Sequence, residues 1–253
     1  MPFGLLFQLA DYTMIAVAFT WELLSLGPKG YGDELLWGAL RTLQISVFGY
    51  AFGFVLGLLG AIGKLSGGPL LRGFLNFYTT VFRAVPELIL ILLLFYAGTD
   101  SFNGLLVTLG YQPINVNGLV AAVLVLGFVQ GAYSTEVLRA AIRAVPTGQV
   151  EAAKAFGMSR IGAFRRIIMP AMLPNAVPGL ANLWLNITKD SALISVVGFT
   201  ELALATRQAA GVSKQYLLLY LIMQALYLTI SITSIKLFDR LERNLRRGQP
   251  DLA

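Results

Sequence analysis

Long apolar runs separated by short polar stretches dominate the chain. Segments near 35–62, 74–97, 118–138, 168–188 and 215–236 are mostly apolar, and each is as long as the roughly 20 residues a helix needs to cross a hydrocarbon core about 30 Å thick. This pattern predicts five membrane-spanning helices. Between the third and fourth it changes character: Glu151-Ala152-Ala153-Lys154-Ala155-Phe156-Gly157-Met158-Ser159, continuing through Phe164, Ile167 and Ile168 to Pro170, reads as a polar helix-turn-helix. Thr147 is predicted to cap its first short helix. Gly157 would end that helix in a left-handed conformation, and Ser159 would cap the next one.

Composition strengthens the membrane reading. Of 253 residues, 57% are hydrophobic and 13% charged, with a mean hydropathy of +0.72, far from ordinary globular usage. The expected architecture is therefore an all-α integral membrane protein with one domain over residues 35–253, preceded by an extension over 1–34. The chain has no cysteine and no histidine, which removes disulfides, thiolate catalysis and the commonest base near neutral pH. No metal-ligand constellation stands out.

The net charge of +6 matters through its distribution. Lys64 and Arg72 follow the first apolar run; Arg139, Arg143, Lys154, Arg160, Arg165 and Arg166 lie between the third and fourth; Arg240, Arg243, Arg246 and Arg247 follow the fifth. Under the positive-inside rule these three basic segments are cytoplasmic, as is the C-terminus. Lys189, Arg207 and Lys214 then fall on or near the outer side. Nucleic acid is not an expected partner, since helix-turn-helix readers are not normally wedged between membrane spans. Residues 3–26 are long enough to span but carry Asp11 and Glu22, and an acid at bilayer depth costs roughly 3 kcal/mol. An interfacial helix is the preferred reading there, with an extra span as the alternative.

Several positions carry candidate chemistry. Gly49, Gly53 and Gly57 recur every fourth residue and predict a close helix-packing seam, within the subunit or against a second one. Gly60, Gly63 and Lys64 resemble a fragment of a phosphate loop, but Leu58 and Leu65 occupy positions where it needs Gly and Ser or Thr; any ATP is handled elsewhere. Arg83 and Glu87, flanking Pro86, fall inside the predicted second span, where charges normally face a pathway. They either pair with each other at i, i+4 or face a solute, Glu87 toward a cationic group and Arg83 toward a carboxylate. Glu136 is expected to pair with Arg139. Glu151 suits the positive end of the short polar helix. Asp190, after Lys189, is a further solute candidate, with pairing to Lys189 or helix capping as the alternative readings.

The Glu151-Ala152-Ala153 stretch, with Gly157 and the later Ile168-Met169-Pro170, resembles the EAA loop of bacterial ABC importer permeases. The resemblance extends over the chain from about residue 35: Gly63-Lys64-Leu65-Ser66, Tyr78-Thr79-Thr80, Arg83-x-x-Pro86 followed by an acid, Gly131-Ala132-Tyr133, Ala144-Val145-Pro146-x-Gly148, Phe164-Arg165-Arg166-Ile167 and Leu173-Pro174 are similar to the polar-amino-acid permeases. Within that family the Q-type subunits of histidine/lysine/arginine/ornithine and octopine/nopaline uptake systems are most alike. Met169 stands where Leu is often found before the EAA-loop Pro, a volume-conserving change. The N-terminal extension is longer than the family commonly has.

This resemblance implies a five-span type I importer permease in the bacterial inner membrane, with Glu151, Ala152, Ala153, Gly157, Phe164 and Pro170 shaping a cytoplasmic helix that docks on an ATPase. It further implies an ABC ATPase dimer that uses ATP and magnesium, with no cofactor on this chain. The other implied partners are a second permease subunit (an M-type heterodimer preferred, a homodimer as alternative), a periplasmic solute-binding protein, and membrane lipid. The expected substrates are polar, chiefly cationic, amino acids or opines, moved by alternating access without bond chemistry on this chain. A channel or secondary carrier working without an ATPase is the alternative in another class.

Overall fold

A computed structural model describes residues 22–27, 30–114 and 117–246. Most of the N-terminal segment read above as interfacial or spanning lies outside the described residues. In chain order the helices are α1 (Gly32–Ser66), α2 (Pro69–Ala84), α3 (Glu87–Thr108), α4 (Gly118–Arg143), α5 (Thr147–Ala155), α6 (Arg160–Ala163), α7 (Met169–Asp190), α8 (Leu202–Ser213) and α9 (Tyr216–Arg246), with a π turn over Phe164–Ile168 and a 3-10 turn over Ser191–Val197. Among the described residues the secondary structure is all helical.

The α1–α4 pair forms the spine of the bundle. The buried face of α1 runs through Gly38, Thr42, Ile45, Ser46, Gly49, Gly53, Gly57, Gly60 and Ala61, so its backbone can approach a neighbour without intervening side chains. A β-carbon placed on Gly57 would sit 2.3 Å from the Ser134 β-carbon, and one on Gly53 would sit 2.7 Å from the Gln130 β-carbon. The glycine seam therefore joins α1 to α4 within one subunit. Replacing Gly57 with valine is expected to cost about 3 kcal/mol, at the upper end of overpacking penalties because backbone must move; a lower thermal midpoint of the purified permease checks it, and an unchanged midpoint contradicts the seam.

Three apolar clusters stack along this spine. Leu35, Leu202, Ala210, Leu219 and Tyr227 pack near the start of α1, Ile45, Ile91, Leu126, Ile187 and Ile194 at mid-height, and Ala61, Leu138, Val145, Met172 and Leu180 at the basic end. The order means that α1 and α4 run in one direction while α7 returns between α4 and α9.

Two parts of the sequence reading need correction. The predicted span 74–97 is not one helix: Val85 and Pro86 are extended, with ψ of 137° and 133°. Proline disfavours the helical region for the residue before it and cannot donate its own backbone N–H, so the helix stops and restarts. Glu87–Thr108, rather than 74–97, is the segment apolar enough to cross. Among the described residues four helices have both the length and the apolarity to span: α1, α3, α4 and α9. The predicted fourth span corresponds to α7, whose 22 residues reach about 33 Å, but Pro170, Pro174, Pro178 and three asparagines lower its apolarity.

The connection between α7 and α9, where Lys189, Arg207 and Lys214 fall on or near the outer side by the charge pattern, is built into the core. Gly198, at φ 87°, turns the chain from the 3-10 turn toward α8. Glu201 then caps α8 from a fully buried position, with Oε1 accepting from the Leu204 N–H at 2.9 Å and Oε2 from the Ala203 N–H at 2.9 Å. The Thr42 hydroxyl on α1 (3.2 Å) and the Tyr227 hydroxyl on α9 (3.0 Å) donate to the same carboxylate. Arg41 adds a bond to the Thr200 carbonyl at 3.1 Å.

Candidate functional site

The break at Val85–Pro86 creates the site. It ends α2 just after Arg83 and starts α3 at Glu87, placing a helix C-terminus, with free carbonyls, beside a helix N-terminus, with free N–H groups and positive dipole. Breaks of this kind at membrane depth are tolerated where the backbone lines a cavity or other protein. Arg83 and Glu87 therefore do not share a helix face, and the described residues contain no ion pair between them. The alternative of mutual i, i+4 neutralisation is corrected accordingly. Instead the Arg83 guanidinium lies 5.8 Å from the centroid of the Tyr133 ring on α4, in cation–π geometry.

Glu87 has two further neighbours: the Tyr133 hydroxyl and the carboxyl of Asp190, the last residue of α7. Thus the three solute candidates read from the sequence, Arg83, Glu87 and Asp190, converge from three different helices around Tyr133 on a fourth. Asp190 makes no capping hydrogen bond to the turn that follows it, so its side chain is left for this cluster. Glu87, Tyr133 and Asp190 are half-buried while Arg83 is exposed. Two like-charged carboxyls side by side form a locus that a cation stabilises, and a guanidinium at its edge suits a carboxylate.

Tyr133 is the member that sequence reasoning did not single out as a site residue. Its signal was its register: it precedes Glu136 by three residues, on the same helix face.

Below this cluster, toward the basic end, lies a second polar group. Glu136 pairs with Arg139 as expected, Oε2 accepting from Arg139 Nε at 3.0 Å and also from Nη2. It also pairs with Lys64, whose Nζ is 2.7 Å from Oε1 and 2.5 Å from Thr79 Oγ1. That partner, 72 residues away in sequence, was not foreseen.

The polar connector over residues 143–168 is formed at the same end of the bundle. Its first helix starts at Thr147 with Pro146 before it and no side-chain cap, which corrects the expectation that Thr147 would be the cap. Gly157 is left-handed at φ 71°, and the Ser159 hydroxyl accepts from the Gly162 N–H at 3.2 Å, both as expected. Glu151 and Ala152 are exposed, Ala153 is buried, and Phe164 is half-buried against Leu138, Val145 and their neighbours. Pro170 cannot donate to the carbonyl of Arg166, and the helix widens just before it: the Met169 N–H bonds the Phe164 carbonyl, five residues back. At the tip Phe156 is 84% and Ile161 74% exposed.

Residues 53–247 match the family of binding-protein-dependent transport system inner membrane components. The chain belongs to this family. It is 41% identical over 232 residues to the nopaline transport system permease protein NocQ of Agrobacterium fabrum (strain C58), covering 89% of this chain and 97% of the relative. To the histidine/lysine/arginine/ornithine transport system permease protein HisQ of Escherichia coli (strain K12) it is 37% identical over 219 residues, covering 87% and 96%. A crystal structure of an amino acid ABC transporter with histidines superposes with a TM-score of 0.71 at 31% identity, covering 85% of this chain and 95% of that one. The protein is thus an ABC-type permease of the inner membrane with several spanning helices.

Proposed function

We propose that this chain is one half of the membrane pathway of an importer for cationic amino acids or the opines related to them, opened and closed by a separate ATPase. The observation that carries the reading is the convergence of Glu87 and Asp190 on one locus with Arg83 and Tyr133 beside them. An amino acid with a cationic side chain presents two positive groups and one carboxylate. Glu87 and Asp190 receive the former, and Arg83 the latter. The likeness to the nopaline and the histidine/lysine/arginine/ornithine permeases supports the same substrate class.

The connector supports the coupling role. Phe156 and Ile161 stand out from an otherwise polar loop, and exposed apolar side chains in such a setting fit a groove on another protein. Glu151, Ala152, Ala153, Gly157, Phe164 and Pro170 shape the loop, through the left-handed turn and the widened helix start. Nucleotide-driven movement of the ATPases pulls this loop as a rigid body, and the two permease subunits alternate which side of the pathway is open. The solute must be held more tightly in one state than the other for ATP turnover to direct its flux. ATP and magnesium belong to the ATPases, and this chain itself makes and breaks no bonds. We take the second subunit to be an M-type relative, the solute to arrive on a periplasmic binding protein, and the C-terminal end of α9 to face the cytoplasm, because basic residues gather there and in the connector.

The test is uptake of labelled arginine and glutamine into proteoliposomes holding this chain, an M-type partner, the ATPase and the binding protein. Arginine uptake is expected to exceed glutamine uptake and to stop when the ATPase, ATP or the binding protein is omitted. Flux that persists without the ATPase would overturn the reading in favour of a channel or secondary carrier.

A further inference from the structure

We propose that Lys64 is a positioning residue for the solute site: it sets the place of α2, and through it Arg83 and Glu87. This rests on the solute-site reading above for its consequence, though not for its geometry. Helix α2 is held loosely for a segment that carries a functional side chain. Thr79 is its one buried residue among those described, while Leu70, Leu71, Phe74 and Phe77 are exposed. Among the described residues its side-chain hydrogen bonds to the α1–α4 spine are three, and one of them, from exposed Arg72 Nη2 to the Leu65 carbonyl at 3.2 Å, holds only its first turn. The Tyr78 hydroxyl donates to the Phe128 carbonyl at 2.5 Å, and Lys64 donates to Thr79 Oγ1 at 2.5 Å.

The Lys64 tie has the geometry of a fixed reference point. Its side chain is 7% exposed, and its ammonium is itself held by Glu136 at 2.7 Å, whose other oxygen is held by Arg139. Gly60, one turn earlier on α1, abuts Thr135 on α4 so closely that a β-carbon there would lie 2.3 Å from Thr135 Oγ1. Lys64 and Glu136 therefore belong to one stiff α1–α4 unit. Thr79 hydrogen-bonds its own helix, donating to the Leu75 carbonyl at 3.0 Å, so its oxygen is correctly turned to accept from the ammonium.

Register carries the tie upward. Arg83 is four residues after Thr79, and Tyr133 is three before Glu136, so each lies one turn above its partner in the Lys64 layer on the same helix face. The lower layer thus fixes the upper one, where Arg83 stacks on Tyr133, and the extended Val85–Pro86 link passes the position of α2 on to Glu87. A largely buried ion pair does little better for stability than apolar replacements of similar volume, so fixing α2 accounts for Lys64 better than stabilising the fold does.

The experiment separates these roles through Thr79. The chain has no cysteine, so spin labels can be placed on cysteines at exposed Phe77 of α2 and Val120 of α4 in the assembled importer with cysteine-free partners. Dipolar distance distributions and arginine KM are then measured for the parent, Thr79→Val, Thr79→Ser and Lys64→Met. Thr79→Val leaves the Lys64–Glu136 pair in place and keeps nearly the same volume. It is expected to broaden or shift the α2–α4 distance as Lys64→Met does and to raise KM about tenfold, the scale of one charge-assisted hydrogen bond, with Thr79→Ser restoring both. A shifted distance with unchanged KM would uphold the tie and discard the solute site. An unshifted distance in Thr79→Val would overturn the proposal, whatever happens to KM.

Discussion

Glu201→Ala is expected to be the most damaging single substitution for folding, costing about 3–5 kcal/mol. The carboxylate accepts from two backbone N–H groups of α8 and from hydroxyls on α1 and α9, and each donor left buried without a partner costs about 1–3 kcal/mol. Removing a helix cap alone costs about 1 kcal/mol, so the surplus measures the cross-helix bonds. Thermal unfolding of the purified permease, or its recovery as a monodisperse species in detergent, reads the effect. Tyr227→Phe removes one donor and leaves the acid otherwise satisfied, so its loss should be near 1 kcal/mol. Equal losses from the two variants would mean that Glu201 does not join α1, α8 and α9 as a unit.

Neutralising the acid pair carries the largest expected effect on transport. Glu87→Gln and Asp190→Asn keep size and hydrogen-bonding capacity while removing charge. Each is expected to reduce arginine kcat/KM by about tenfold to a hundredfold, the range for a charge-assisted contact worth roughly 1.5–3 kcal/mol. The double variant should lose less than the product of the two single losses, because neighbouring acids addressing one cation act together. Initial rates of arginine uptake across the four proteins form the required cycle. Full additivity would place the two acids at separate points along the pathway.

The contrast between what the sequence discloses and what it hides has physical causes. Apolar length identifies helices crossing a membrane because the bilayer imposes one requirement on every span. The connector was legible for a similar reason: Gly157 and Ser159 are local signals, resolved within a few residues of themselves. Arg83, Glu87 and Asp190 could be singled out because charge is conspicuous in an apolar run, but their convergence could not, since it depends on the break at Pro86 and on α7 returning beside α4. The continuous reading of 74–97 failed because hydropathy averages over a break of two residues. The cross-helix bonds of Lys64 to Glu136 and of Glu201 to Thr42 were not foreseen because they join residues 72 and 159 apart; no local pattern announces such pairs. Thr147 was misassigned as a cap because a Thr just past Pro146 satisfies the composition of a helix start without the geometry.

The central claim, that this site recognises a cation, is tested most directly by the ratio of arginine to citrulline uptake in the reconstituted importer, compared between the parent chain and Glu87→Gln. The two solutes are close in shape and differ in the side-chain charge, and any preference imposed by the binding protein is common to both measurements. The account predicts a ratio well above one for the parent that falls at least several-fold in the variant, chiefly through loss of arginine uptake. A ratio that stays the same in Glu87→Gln would contradict it.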